Sequence, residues 1–245
     1  MIRMTDPTIR GTVIAILATV LLTITGCSRP DRHARSDGRL DLADDLMESR
    51  PDSALTVLSS IDTTSLADDG EKARYALLMS MALDKNYIDT TNFDILQPAI
   101  DYYPTHGTPD EKLRTFYYQG RIYQNASNFD MALQSFLKAD DLKDGITDTL
   151  TYANLLVAQG SINYISYQIN TFITNNLIAL RLYRKIGNND YALSSLLRAL
   201  GGCILNKDKH RADSLLSVSE TLTSKDRCGV VAGQRPDGRY RAVAV

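Results

Sequence analysis

Over most of its length the chain alternates polar stretches with segments in which apolar side chains recur every three or four residues. That is the period of a helix with one buried face. The pattern is sharpest between Leu113 and Ile146. Phe116, Gly120 and Tyr123 mark one stripe of a first helix, and Ala132, Phe136 and Ala139 mark one stripe of a second. Ser127-Asn128 supplies the turn between them. Gly120 and Ala132 are small where two antiparallel helices press closest.

Weaker copies flank this hairpin. Pro51-Asp52 opens a helix with residues suited to a first turn. Ala54, Leu58 and Ile61 then repeat the spacing of Ala132, Phe136 and Ala139, with Leu42 to Arg50 as the partner helix. Gly70 to Lys85 pairs with Phe93 to Tyr103, Leu150 to Gln168 with Thr171 to Lys185, and Asp190 to Leu205 with Arg211 to Leu222. In the fourth pair Gly160, Phe172 and Ala179 keep the pattern while Asn163 and Asn176 interrupt it. In the fifth, Gly201, Ala212 and Leu216 echo it with one residue missing from the turn. The pattern predicts an all-α solenoid of about five antiparallel helix pairs over residues 41–223.

The flanks differ. Gly11 to Thr25 is an uncharged apolar run behind Arg3 and Arg10. It suits the core of a signal peptide and falls short of the roughly 20 residues a membrane span requires. Ile24-Thr25-Gly26-Cys27 resembles the lipobox of bacterial lipoproteins. The resemblance implies a signal peptide over residues 1–26 and an acyl (palmitate-type) anchor on Cys27, with buried acyl chains each contributing about 0.8 kcal/mol per CH₂. Residues 27–40 are polar and charged, which predicts a flexible tether. Residues 224–245 turn glycine-, arginine- and valine-rich without helical period. A shifted reading frame or a truncation would produce so irregular a tail.

Charge narrows the partner class. The chain has a formal charge of −2, but its two ends are basic: residues 27–224 hold 20 Lys and Arg against 26 Asp and Glu. An acidic body argues against nucleic acid, whose phosphates need clustered Lys and Arg. Catalytic candidates are sparse. His33, His106 and His210 read as solvated surface residues, and Cys203 as a buried small apolar one. No phosphate loop, His-Glu-x-x-His or nucleophile elbow is present. Asp44-Asp45, Asp68-Asp69 and Asp140-Asp141 lack EF-hand spacing. Neither enzyme activity, metal nor cofactor is expected.

The six matches between Phe116 and Ala139 resemble the tetratricopeptide (TPR) repeat. Together with LMESRPDSALTVL, MALDKNYIDT, AIDYY and FYYQGRIYQNASNFDMALQSFLKAD, they resemble TPR-containing lipoproteins of Bacteroides-type bacteria. The resemblance implies that first helices line a concave groove. It assigns Arg114, Tyr117, Arg121, Gln124 and Asn125 to that groove in the clear repeat, and Asn154, Val157, Ser161, Tyr164 and Ile165 in the fourth pair. It further implies a membrane-anchored scaffold or adaptor for a protein or peptide. Arginine forks suit carboxylates, tyrosine offers contact area, and amides bond an extended backbone. An alternative is the N-terminal sensor portion of a truncated membrane-bound signalling or transcription regulator. Glycan capture is a third, but it relies on aromatic platforms and this chain has no tryptophan. The expected location is the cell envelope, periplasmic or surface-exposed, with Ser28 after Cys27 favouring the outer membrane.

Overall fold

Helices start at short polar side chains that satisfy otherwise orphaned backbone N–H groups. The Asp68 carboxylate accepts from Glu71 N–H, Asn128 from Met131, Asp148 from Thr151, Asn188 from Tyr191 and Asp208 from Arg211. Thr108 and Glu111 form a reciprocal capping box ahead of Pro109. The computed structural model describes residues 32–218, with side chains from residue 38. The expected signal peptide 1–26, Cys27 and its lipobox, the side chain of His33 and the tail 224–245 lie outside the described residues.

Among the described residues the chain is all helical, in ten α-helices and a short 3₁₀ turn at Thr63–Ser65. They are α1 Arg32–Leu46, α2 Pro51–Ser59, α3 Asp69–Lys85, α4 Gln97–His106 and α5 Pro109–Asn125. Then follow α6 Phe129–Asp140, α7 Thr149–Ile165, α8 Ile169–Lys185, α9 Asn189–Leu205, and α10 over residues 209–218. They stack as consecutive antiparallel hairpins, as the periodicity predicts. The first helices α3, α5, α7 and α9 are each 17 residues long and start 40 residues apart.

Two expectations need correction. Helix α1 starts at Arg32, so residues 32–40 of the expected tether are helical. Leu40, Ala43 and Met47 form a buried stripe that docks this helix on the core. The polar run around it concealed a single anchoring leucine. Helix α4 starts at Gln97 rather than Phe93, whose ring instead packs edge-on against Tyr123 at 4.8 Å.

One tight turn recurs. In Ala126-Ser127-Asn128 the central residue has φ +58° and the N–H of Asn128 donates to Tyr123 C=O at 2.8 Å. Tyr167, Gly187 and Lys207 repeat the left-handed centre at φ +57°, +75° and +56°. The third turn residue donates likewise from Gln168 to Asn163, Asn188 to Tyr183 and Asp208 to Cys203. The link from α8 to α9 is therefore as short as the turns within a pair.

The close helix contact lies where the repeat pattern puts it. A Cβ on Gly120 would stand 2.3 Å from the Phe136 ring. Ala132, Phe136 and Ala139 are fully buried, while Phe116 and Tyr123 are half-buried against the same core. Burying Phe136 contributes about 2–3 kcal/mol. In the fifth pair the packed glycine is Gly202, whose Cβ would reach Ile173 at 2.6 Å, and not Gly201, whose Cβ would meet nothing within 4 Å. The core runs unbroken from α1 to α7, and separate smaller clusters then hold α8, α9 and α10.

Candidate partner-binding groove

Successive first helices α1, α3, α5 and α7 touch one another, whereas successive second helices scarcely do. The first helices therefore form the inner, concave row. Long charged side chains on this row reach the neighbouring helix before they reach solvent. Arg74 of α3 pairs with Asp41 of α1 at 2.6 Å, and Lys85 with Glu48 at 2.8 Å. Arg121 of α5 grips Asp84 of α3 through Nε at 3.2 Å and Nη2 at 3.1 Å. Arg114 of α5 pairs with Asp148, the cap of α7, at 2.6 Å.

These pairs revise the expected groove. Arg114 and Arg121 are clamps between repeats rather than free forks for a partner's carboxylates. Gln124 accepts from Arg121 Nη1 at 2.8 Å, and Asn125 donates to Thr90 C=O at 3.2 Å. Tyr117 is only 6% exposed, with its ring against Tyr118 and Phe136. Burial pushes both phenols well above their ordinary pKa, so they stay protonated. Tyr164 is half-exposed.

Between α7 and α9 the stitching stops. These two first helices barely touch, and no ion pair joins them among the described residues. The short α8–α9 turn instead brings new groups to the concave side. Tyr183 donates its hydroxyl to Asn154 Oδ1 at 2.5 Å, and the half-exposed Tyr191 packs its ring 5.3 Å from Tyr183. Burial raises the Tyr191 pKa, and so does the negative field of Tyr87, Glu48 and Asp84. At the far end of the gap an open, shallow depression of about 380 Å³ lies between Tyr164, Phe172 and the C-terminal half of α9. The Tyr164 and Phe172 rings stand 5.2 Å apart and form its aromatic wall.

Of the fourth-pair residues Tyr164 lines this depression, and none of the clear-repeat residues does. One sequence signal pointed to the clamps: their partners lie 33 to 37 residues apart, close to one repeat, with opposite charge. Nothing comparable marked Arg198, because the depression it lines depends on how α9 lies against α7 and α8. The polar interruptions Asn163 and Asn176 are both buried. Asn176 donates to Phe172 C=O at 2.8 Å, and its Oδ1 has no hydrogen-bond partner among the described residues. His106 lies exposed, stacked on Tyr102 at 4.6 Å, and the Cys203 thiol is buried.

No protein-family model matches the chain, and no curated protein matches it. Solved structures do. The apo form of RapI superposes with a TM-score of 0.62 at 13% identity, over 78% of this chain and 55% of RapI. This chain therefore spans little more than half of RapI's length. Two structures of a Podosopora anserina kinesin light chain with nearly identical TPR-like repeats give TM-scores of 0.56 and 0.55 at 11% and 12% identity. They cover 79% and 78% of this chain and 96% of their own. The likeness establishes the fold: this chain is a TPR-like α-solenoid.

Proposed function

We propose that this solenoid is a lipid-anchored scaffold of the bacterial cell envelope that holds a protein or peptide partner in the cleft between α7 and α9. The observation that carries the reading is the contrast along the inner row. Ion pairs stitch α1 to α3, α3 to α5 and α5 to α7, and between α7 and α9 the row parts. There the row presents the half-exposed Asn154, Val157, Ser161, Tyr164 and Tyr191 rather than a fourth stitched seam. Tyrosine and amide side chains at a rigid cleft give contact area and backbone hydrogen bonds at small entropic cost. Binding by contact, without catalysis, is the activity.

The test is a pull-down from solubilised membranes with the full chain as bait, beside a Tyr164→Ala/Tyr191→Ala variant that keeps its helical circular dichroism. A partner captured by the wild type and lost by the variant supports the cleft. Equal capture by both places binding on another face. The anchor is tested separately. Metabolic labelling with a palmitate analogue and loss of both label and membrane fractionation in Cys27→Ser support lipidation, and label retained by that variant refutes it.

A further inference from the structure

The first helices share one register. Helices α3, α5 and α9 start at residues 69, 109 and 189, so Leu77, Tyr117 and Leu197 hold equivalent positions. Leu77 and Tyr117 are 4% and 6% exposed, because neighbouring first helices lie against α3 and α5. Leu197 is 54% exposed, and Ile204 and Leu205 on the same stripe of α9 are 63% and 56% exposed. Gly201 sits among them at helical spacing, and a Cβ there would meet nothing within 4 Å. Helix α9 therefore carries an apolar ridge with a dent in it, and a contiguous exposed patch of this kind marks a contact surface.

The composition of that stripe selects its occupant. The sequence of residues 224–245 lacks the helical period of another first helix. The opposite end of the row is no match for an apolar ridge, since α1 leaves Asp41, Asp45 and Glu48 exposed. The α9 stripe is complementary to itself. Exposed Asp190 opens the helix, and exposed Lys207 lies in the turn that follows it. In an antiparallel two-fold pairing centred at the level of Ala199, positions equidistant from that level meet. Leu197 then enters the dent over the partner's Gly201, and Ile204 lies against the partner's Ser194. In the same arrangement Asp190 reaches the partner's Lys207. Knob, dent and charges are thus matched by one register. A parallel pairing would oppose Asp190 to Asp190 and Lys207 to Lys207, with a void between two glycines.

We propose that the open face of α9 is a self-association surface on which two copies of this chain pack antiparallel. An interface built on one helix from each copy is small, so the dimer is reversible, with a dissociation constant on the order of 10 μM.

Sedimentation equilibrium of the purified full chain in density-matched detergent, from about 1 to 200 μM, measures the association. Leu197→Glu places a charge on the ridge, and Gly201→Leu fills the dent. Both change open positions, and leucine suits a helix better than glycine, so the helical circular dichroism stays that of wild type. Each should weaken the dimer by about tenfold or more. Asp190→Lys and Lys207→Glu should each weaken it as well, and the double variant should recover most of the wild-type association. A dimer indifferent to Leu197→Glu and Gly201→Leu, or a double variant that does not recover, overturns the inference. A wild-type chain that stays monomeric throughout overturns it too. Hydroxyl-radical footprinting of that monomer then assigns the face, to residues 219–245 if Leu197 and Ile204 are shielded and to a different protein if they react. The cleft stands or falls separately, on Tyr164 and Tyr191.

Discussion

Arg121→Met distinguishes a clamp from a partner-binding residue. Methionine keeps most of the apolar stem and removes the charge, leaving Asp84 facing an uncharged neighbour. The pair is separated by 3.1 Å, and its ends are 28% and 23% exposed. With an effective dielectric of about 20, attraction at that distance is roughly 5 kcal/mol, most of it offset by withdrawing both ions from water. Breaking a fully buried pair costs about 3–5 kcal/mol and an exposed one below about 1 kcal/mol, so this one should cost about 2 kcal/mol. Urea unfolding followed by far-ultraviolet circular dichroism, on Arg121→Met, Asp84→Asn and the double variant, measures it. The expected coupling between the two sites is about 1–1.5 kcal/mol. A stability within about 0.5 kcal/mol of wild type for Arg121→Met would refute the clamp and return Arg121 to the groove surface.

Three further outcomes follow from packing and capping. Gly120→Ala improves helix propensity by about 1 kcal/mol, yet its Cβ would stand 2.3 Å from Phe136. The clash should dominate and lower stability by about 1–2 kcal/mol, and a raised melting temperature would contradict the packing. Asn176→Leu replaces a buried amide whose Oδ1 is unpartnered with an apolar side chain of similar size. Stability should rise by about 1–2 kcal/mol in urea unfolding, and a loss would mean that the amide is satisfied. The Asp110 carboxylate accepts from the N–H groups of Thr147 at 2.7 Å and Asp148 at 3.0 Å and from the Thr147 hydroxyl at 2.5 Å. Burial opposes its ionisation, but these bonds outweigh it and hold its pKa below the ordinary 3.8. A depressed carboxylate stabilises the fold fully above its ordinary value and loses that contribution as pH falls through the lower folded value. Asp110→Asn should therefore cost about 1–2 kcal/mol at neutral pH. That cost should shrink below pH 3.8, and a pH-independent difference would remove the ionised bonds from the account.

The hairpins were legible because their determinants are local. Apolar residues at helical spacing, Asp or Asn caps and a turn at Ser127-Asn128 act within one or two helices. Gly120 opposite Phe136 was readable for the same reason: both sit at fixed offsets from one turn. The candidate site was legible only in part. Tyr164 lines the cleft, whereas Arg114, Tyr117, Arg121, Gln124 and Asn125 are engaged within the inner row. A polar stripe looks the same in sequence whether it meets solvent or the next helix. Leu40 shows the same difficulty, since one apolar residue in a charged run gives no periodicity until Ala43 and Met47 are seen beside it.

By itself the sequence determined most of the helices, the order of the hairpins and the tightest contact within the clear repeat. Each depends on side chains a few residues apart along a helix of known pitch. Tertiary structure alone decided which charges meet, which glycine of Gly201-Gly202 faces a neighbour, and where the inner row parts. Those outcomes depend on the angle at which each helix lies on the one before it. That angle is set jointly by the side-chain volumes on both faces of an interface. The short turn through Gly187 fixes α9 against α8 at one end, and Gly202 lets it approach at the other.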